Sequence, residues 1–255
     1  MRTLLIAGNW KMHGSREQCK ALLTELKKLT AEHIGIDWVV FPPYLYLPLA
    51  QSILDQSNIA WGGQNLSSSV NDAALTGEVS GRMLKDFGAS YVLVGHSERR
   101  QFYGETDDIC AAKCVAALQA GLQPVFCLGE TLAQRQSKKT FEIIKKQLAA
   151  LLGLIDNHAA LAEATFAYEP VWAIGTGESA TSEQAEEVHS FIRQCIAEVD
   201  TGLSQSVRIL YGGSVNSSNA SALLAMPNVD GALVGGASLE AKQFVKIGSV
   251  CISSC

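Results

Sequence analysis

Positive charge is scarce in this chain of 255 residues: Lys and Arg number 20 against 25 Asp and Glu, a formal net charge of -5 with histidine neutral. The basic residues stand singly, without a stripe or cluster, which removes the electrostatic footing that nucleic-acid binding needs but leaves room for one small anion held locally. Long apolar runs are missing too. Residues 4–7 are followed at once by Asn9 and Lys11, too short a stretch for a signal-peptide core, and nothing elsewhere approaches a membrane span. These absences predict a cytoplasmic protein with neither nucleic-acid nor membrane partners. Paired cysteine spacing is also lacking. The seven cysteines include no CxxC of the kind that binds zinc, and an odd count in a chain this long points to reduced thiols, with Cys110 and Cys114 packed on one helix face.

What is present is 47% apolar residues, ample for a buried core, arranged as one repeated unit: a short apolar run, a break, then a longer amphipathic segment. The runs occupy residues 3–9, 36–41, 59–65, 91–95, 124–128, 165–169, 207–211 and 231–234. Most show little alternation, as parallel strands covered on both faces do, and helical segments such as 15–29 and 182–199 lie between them. Ser15 with Gln18 three residues on makes a capping box for the first of these helices. No Pro/Gly/Ser-rich linker divides the chain. Eight such units in one α/β domain over residues 1–255 predict a closed (β/α)8 barrel in preference to an open doubly wound sheet.

In such a barrel chemistry sits on the loops at the carboxyl ends of the strands. The polar residues fall there. Asn9 and Lys11 follow the first run, Gln64 and Asn65 end the third, and His96 and Glu98 follow the fourth. Cys127 and Glu130 flank the end of the fifth, Glu169 ends the sixth, and Gly212, Gly213 and Ser214 follow the seventh. His96 stands where a strand hands over to a short polar helix, a place where the helix N-terminus keeps an imidazole neutral. Glu169 is fixed at a strand end by Pro170, and the apolar residues Val171, Trp172, Ala173 and Ile174, ending in Gly175, Thr176 and Gly177, read as a lid that excludes water. Residues 175–180 also match a GxGxxA dinucleotide fingerprint, but Glu169 and the lid-like run separate it from its strand. Glycine pairs at 212–213 and 235–236, after the last two strands, can cradle a phosphate on bare backbone N–H groups.

Taken together, the blocks Gly-Asn-Trp-Lys, Gly-His-Ser-Glu-Arg-Arg, Tyr-Glu-Pro-Val-Trp-Ala-Ile-Gly-Thr-Gly, Tyr-Gly-Gly-Ser and Leu-Val-Gly-Gly-Ala-Ser-Leu resemble the signature of the triosephosphate isomerase family, in order across nearly the whole chain. The resemblance implies a homodimer without metal or cofactor that interconverts dihydroxyacetone phosphate and D-glyceraldehyde 3-phosphate in glycolysis and gluconeogenesis. It assigns catalysis to Glu169, His96, Lys11 and Asn9, and phosphate binding to Asn9, Lys11, Gly175, Ser214, Gly235 and Gly236. Glu98, as a partner that orients Lys11, and Cys127 would support them from behind. The lid would be residues 170–177, and Thr76, in the long Ser- and Asn-rich loop between Leu66 and Glu78, would meet the partner subunit.

One departure lies near the site: His13 stands where the family usually has Asn. Two rival readings remain at this point. A Schiff-base aldolase would want a lysine on the sixth strand, whereas this chain has none between Lys146 and Lys242. A non-catalytic barrel would have no need to retain base, electrophile, cation and phosphate donors together.

Overall fold

The computed structural model describes residues 2–155, 158–174 and 179–250, and in it the eight apolar runs form eight strands. They are β1 (Leu4–Asn9), β2 (Ile36–Phe41), β3 (Ile59–Gly63), β4 (Tyr91–Val94), β5 (Gln123–Leu128), β6 (Thr165–Tyr168), β7 (Arg208–Tyr211) and β8 (Gly231–Val234). All neighbours pair in parallel and in chain order, and β8 returns to β1, so the sheet closes as a (β/α)8 barrel.

Successive strand residues point to opposite faces, and here both faces are dry. Inward, Leu5, Ala7, Val39, Phe41, Leu93, Val125, Ala167, Leu210 and Leu233 fill the barrel. Outward, Ile6, Val40, Val92, Phe126, Phe166 and Ile209 meet the surrounding helices through residues such as Leu23, Leu26, Ile144 and Ile192. This double burial is why the runs read as continuous apolar segments. Cys110 and Cys114 belong to the outer layer, fully buried on the helix Asp107–Gln119, and the cysteines among the described residues are free thiols.

Local signals set the helix starts. Ser15 and Gln18 exchange the two hydrogen bonds of a capping box ahead of the helix Arg16–Thr30, and Thr181 and Gln184 do the same ahead of Ser182–Ala197. The latter helix stops two residues before the expected 199. Three strands also end earlier than their apolar runs: β4 by one residue, at Val94, and β3 and β6 ahead of polar residues. Gln64 and Asn65 lie beyond β3, where Gln64 donates to the carbonyls of Lys11 and Phe41 at 2.7 and 2.8 Å. Glu169 lies one residue beyond β6, although its N–H still donates to the Leu128 carbonyl at 2.8 Å. In both places a polar side chain is turned into the barrel mouth.

The opposite end of the barrel is tied by Asp230. Its carboxylate accepts from Arg2 at 2.6 Å, from Arg193 at 2.6 Å and from the backbone N–H of Ile209 at 2.8 Å. The residue is buried, and a buried carboxylate is tolerated only when its oxygens are satisfied in this way. Among the described residues no helix is long and apolar enough to cross a membrane.

Candidate active site

A cavity of about 310 Å³ opens at the carboxyl ends of the strands, and its lining includes Asn9, Lys11, His96, Glu169, Ser214, Gly235 and Gly236. The barrel thus brings to one space side chains from the ends of β1, β4 and β6 and backbone from the ends of β7 and β8. Glu169 and His96 are 2% and 6% exposed, so their charges interact with little screening.

Glu169 is held from several sides. Its Oε2 accepts the Ser97 N–H at 2.8 Å, and its Oε1 stands 3.0 Å from Nε2 of His96, at ion-pair distance but without hydrogen-bond alignment. Neighbouring strands approach it through glycines for a steric reason. A β-carbon at Gly129 would overlap the Glu169 carbonyl oxygen, and one at Gly212 would lie 2.9 Å from Cγ of Glu169. Burial favours the protonated carboxyl, but His96, the Ser97 N–H and Lys11 outweigh it and hold the pKa of Glu169 below the usual carboxylate range.

His96 caps the helix Ser97–Tyr103, and its Nδ1 accepts the Glu98 N–H at 3.3 Å. An acceptor at Nδ1 places the proton of the neutral ring on Nε2, the nitrogen that faces Glu169 and the cavity. Burial disfavours the imidazolium, yet the carboxylates of Glu169 and Glu98 outweigh burial in this arrangement and raise the ring's pKa above its ordinary value.

Lys11 has φ of +50°, a left-handed conformation that costs a non-glycine residue on the order of 1 kcal/mol. The surroundings impose it: the Lys11 N–H donates to Oδ1 of Asn9 at 2.9 Å, while Gln64 holds its carbonyl. The ammonium then lies 2.5 Å from Glu98, so Glu98 stands where it can orient Lys11.

On the far wall, Ser214, Gly235 and Gly236 line the cavity, and among the described residues no atom lies within 4 Å of where a β-carbon on Gly236 would be. Small residues here leave room for an anion the size of a phosphate. A family model for triosephosphate isomerase matches residues 4–251.

The chain belongs to the triosephosphate isomerase family. It is 52% identical over 253 residues to the triosephosphate isomerase of Coxiella burnetii (strain Dugway 5J108-111), covering 99% of each chain. It is 52% identical over 247 residues to that of Dechloromonas aromatica, covering 97% of this chain and 98% of the other, and 51% identical over 247 residues to that of Thiobacillus denitrificans, with the same coverage.

In this member of the triosephosphate isomerase family the remaining expected residues are placed as follows. Cys127 is fully buried inside the barrel and does not line the cavity; burial and the Glu169 carboxylate push its thiol pKa well up. Pro170, Val171, Trp172, Ala173 and Ile174 leave Glu169 in a turn whose Trp172 indole donates to Glu130 at 3.0 Å. Arg135 stacks over that indole at 4.7 Å and also pairs with Glu130 at 3.2 Å. Gly175, Thr176 and Gly177 lie outside the described residues, as do Cys251 and Cys255. Thr76 is exposed in the loop after β3, away from the cavity. His13 sits beside the site, with Nδ1 3.1 Å from the Trp10 carbonyl, and does not line the cavity.

Sequence reasoning missed three contributors. The Ser97 N–H is a backbone group without a side-chain signal. Gln64 was visible as a polar residue at a strand end, but its grip on Lys11 needs the fold. Glu130 was visible in the same way, and its buried bonds to Trp172 and to the Tyr168 hydroxyl, at 3.2 Å, were not.

Proposed function

We propose that this chain interconverts dihydroxyacetone phosphate and D-glyceraldehyde 3-phosphate in the cavity at the barrel mouth, with Glu169 as the base. The observation that carries this reading is the convergence of Glu169, His96 and Lys11 on one cavity whose far wall is glycine backbone, in a chain of this family. Glu169 takes a proton from the carbon beside the carbonyl and returns it to the neighbouring carbon, so the enzyme ends unchanged. The negative charge that develops on oxygen in the enediolate meets the Nε2–H of His96 and the ammonium of Lys11, with Asn9 beside them. A positioned base supplies about 10² to 10⁴ in rate, so stabilisation of that oxygen must add the rest.

The resting contacts suit this sequence of events. While Glu169 faces His96 it raises the ring's proton affinity. When the carboxylate turns to a substrate carbon that influence weakens, burial dominates, and the imidazole is neutral and ready to donate from Nε2. Ser214, Gly235 and Gly236, with Gly175, bind the phosphate, which does not react. Remote binding energy of this kind is available to close residues 170–177 over the site and desolvate the base. Closure also guards the enediolate against loss of its phosphate.

The protein acts as a cytoplasmic homodimer of glycolysis and gluconeogenesis. Met12, Leu45, Leu75 and Phe102 are 94%, 85%, 50% and 69% exposed and lie in the segments that follow β1, β2, β3 and β4, four neighbours at one end of the barrel. Exposed apolar groups gathered on one side mark an interaction surface, and Thr76 shares it. Light scattering should give twice the chain mass of about 27 kDa; a mass of one chain would overturn the dimer. For the activity, a coupled assay on both triose phosphates in the presence of a chelator should register interconversion. Folded protein that converts neither would sink the isomerase reading.

A further inference from the structure

Arg100 is mostly buried, on the helix that begins at Ser97, and its guanidinium makes three bonds. Its Nε donates to the Gly95 carbonyl at 2.9 Å, Nη2 to the Cys127 carbonyl at 3.2 Å, and Nη1 to Oδ1 of Asp107 at 2.7 Å. The two carbonyls belong to neighbouring strands. The β4–β5 ladder ends with Val94 opposite Phe126, because Gly95, at φ +68°, turns the chain out of β4. Gly95 and Cys127 are the next residues on each side of that seam. The guanidinium therefore continues the seam by one step after the backbone has left it.

This step lies within a closed circuit. From Gly95 the chain runs through His96 to Ser97, whose N–H binds Glu169. The Glu169 N–H binds the Leu128 carbonyl, Leu128 follows Cys127, and Cys127 returns to Gly95 through Arg100. Every link but one is a covalent bond or a backbone or carboxylate hydrogen bond of the site itself. Arg100 is the remaining link, the one that joins the two strand ends directly; without it they are coupled at the mouth through Glu169 itself.

We propose that Arg100 is a positioning residue that fixes the separation of His96 and Glu169 by clamping the ends of β4 and β5, an inference that rests on the isomerase reading of those two side chains. Arginine suits the task because its planar fork presents several donors at fixed angles. A lysine keeps the charge and the pairing with Asp107 but cannot reach two carbonyls and a carboxylate at once. The titratable and charged groups facing Glu169 are Lys11 from the end of β1, His96 with Glu98 from the end of β4, and Cys127 from β5, while β7 presents the backbone of Gly212. Loosening the clamp weakens the contacts with His96 and Ser97 and leaves burial less opposed.

The test is the pH profile of kcat/KM for D-glyceraldehyde 3-phosphate in wild type, R100K and D107N. R100K should lower kcat about tenfold, leave KM within about twofold, and move the acidic limb up by about one pH unit. A loss of kcat with the acidic limb unmoved would mean a merely structural role and would overturn the proposal. Asp107→Asn keeps the acceptor and both carbonyl bonds while removing the charge, so its acidic limb should stay in place. A shift in D107N equal to that expected of R100K would overturn the clamp in favour of charge, and this result is available even where R100K does not fold. Inactive wild type would instead refute the isomerase reading; active wild type with an unaltered R100K would refute this inference alone.

Discussion

The Ser97 N–H donates to the carboxylate of Glu169 at 2.8 Å across the barrel mouth. The bond places the base 3.0 Å from the imidazole of His96, the neighbour of Ser97 in the chain, so one strand end holds both its own electrophile and the base of another strand.

Glu169→Gln keeps the shape and the acceptor at Ser97 but cannot take a proton. Turnover should fall by at least about 10², while affinity for a phosphate-bearing ligand such as glycerol 3-phosphate stays within about tenfold. Steady-state kinetics and calorimetric titration of the same preparation test both halves. Normal turnover would remove Glu169 from the mechanism.

The depressed pKa of Glu169 also has a consequence for stability. Because the folded state favours its ionised form, the group contributes stability above the ordinary value of 4.5, and this is lost as pH falls through the lower folded pKa. Urea denaturation of wild type and E169Q should give a wild-type-minus-variant difference in unfolding free energy that declines as pH drops below 4.5. A difference that grows toward acid would contradict the sign.

Lys11 and Glu98 should separate in magnitude. K11M removes the cation from the cavity and is expected to cost at least about 10² in kcat/KM. E98Q leaves the cation and removes only its partner, so its loss should stay within about tenfold. Equal losses would mean that Glu98 acts on something other than Lys11.

At the other end of the barrel, Asp230→Ala would leave Arg193 and Arg2 facing each other without their shared anion. Breaking one member out of a buried ion pair costs about 3–5 kcal/mol, and thermal unfolding should register it. The kinetic constants of whatever protein remains folded should be unchanged, since the network lies far from the mouth.

Much of this was legible in the sequence, because a parallel barrel imposes a rule that residues obey one at a time. Strand bodies such as Leu5–Ile6–Ala7 face two cores and must be apolar throughout, while Asn9, His96 and Glu169 fall just where the backbone leaves the ladder. What was hidden depends on bonds across the chain. The role of Gln64 is set by Lys11, 53 positions away, and the hold on Glu169 comes from a main-chain N–H that any residue at position 97 other than proline would supply. Asp230 belongs to no sequence motif, and its role exists only because β7 and the helix Ser182–Ala197 bring Ile209 and Arg193 to it.

The two walls of the cavity differ in how much change they tolerate. Gly129 and Gly212 press against Glu169 and admit no side chain without displacing it, so the side that carries the proton transfer is closed to variation. Among the described residues, a β-carbon at Gly236 meets nothing within 4 Å, and one at Gly235 meets Cε of Lys11 at 3.6 Å. A variant with a side chain at Gly236 would place it in the space left for the phosphate, and so would select a different anionic substrate. Its chemistry would be inherited unaltered from the opposite wall.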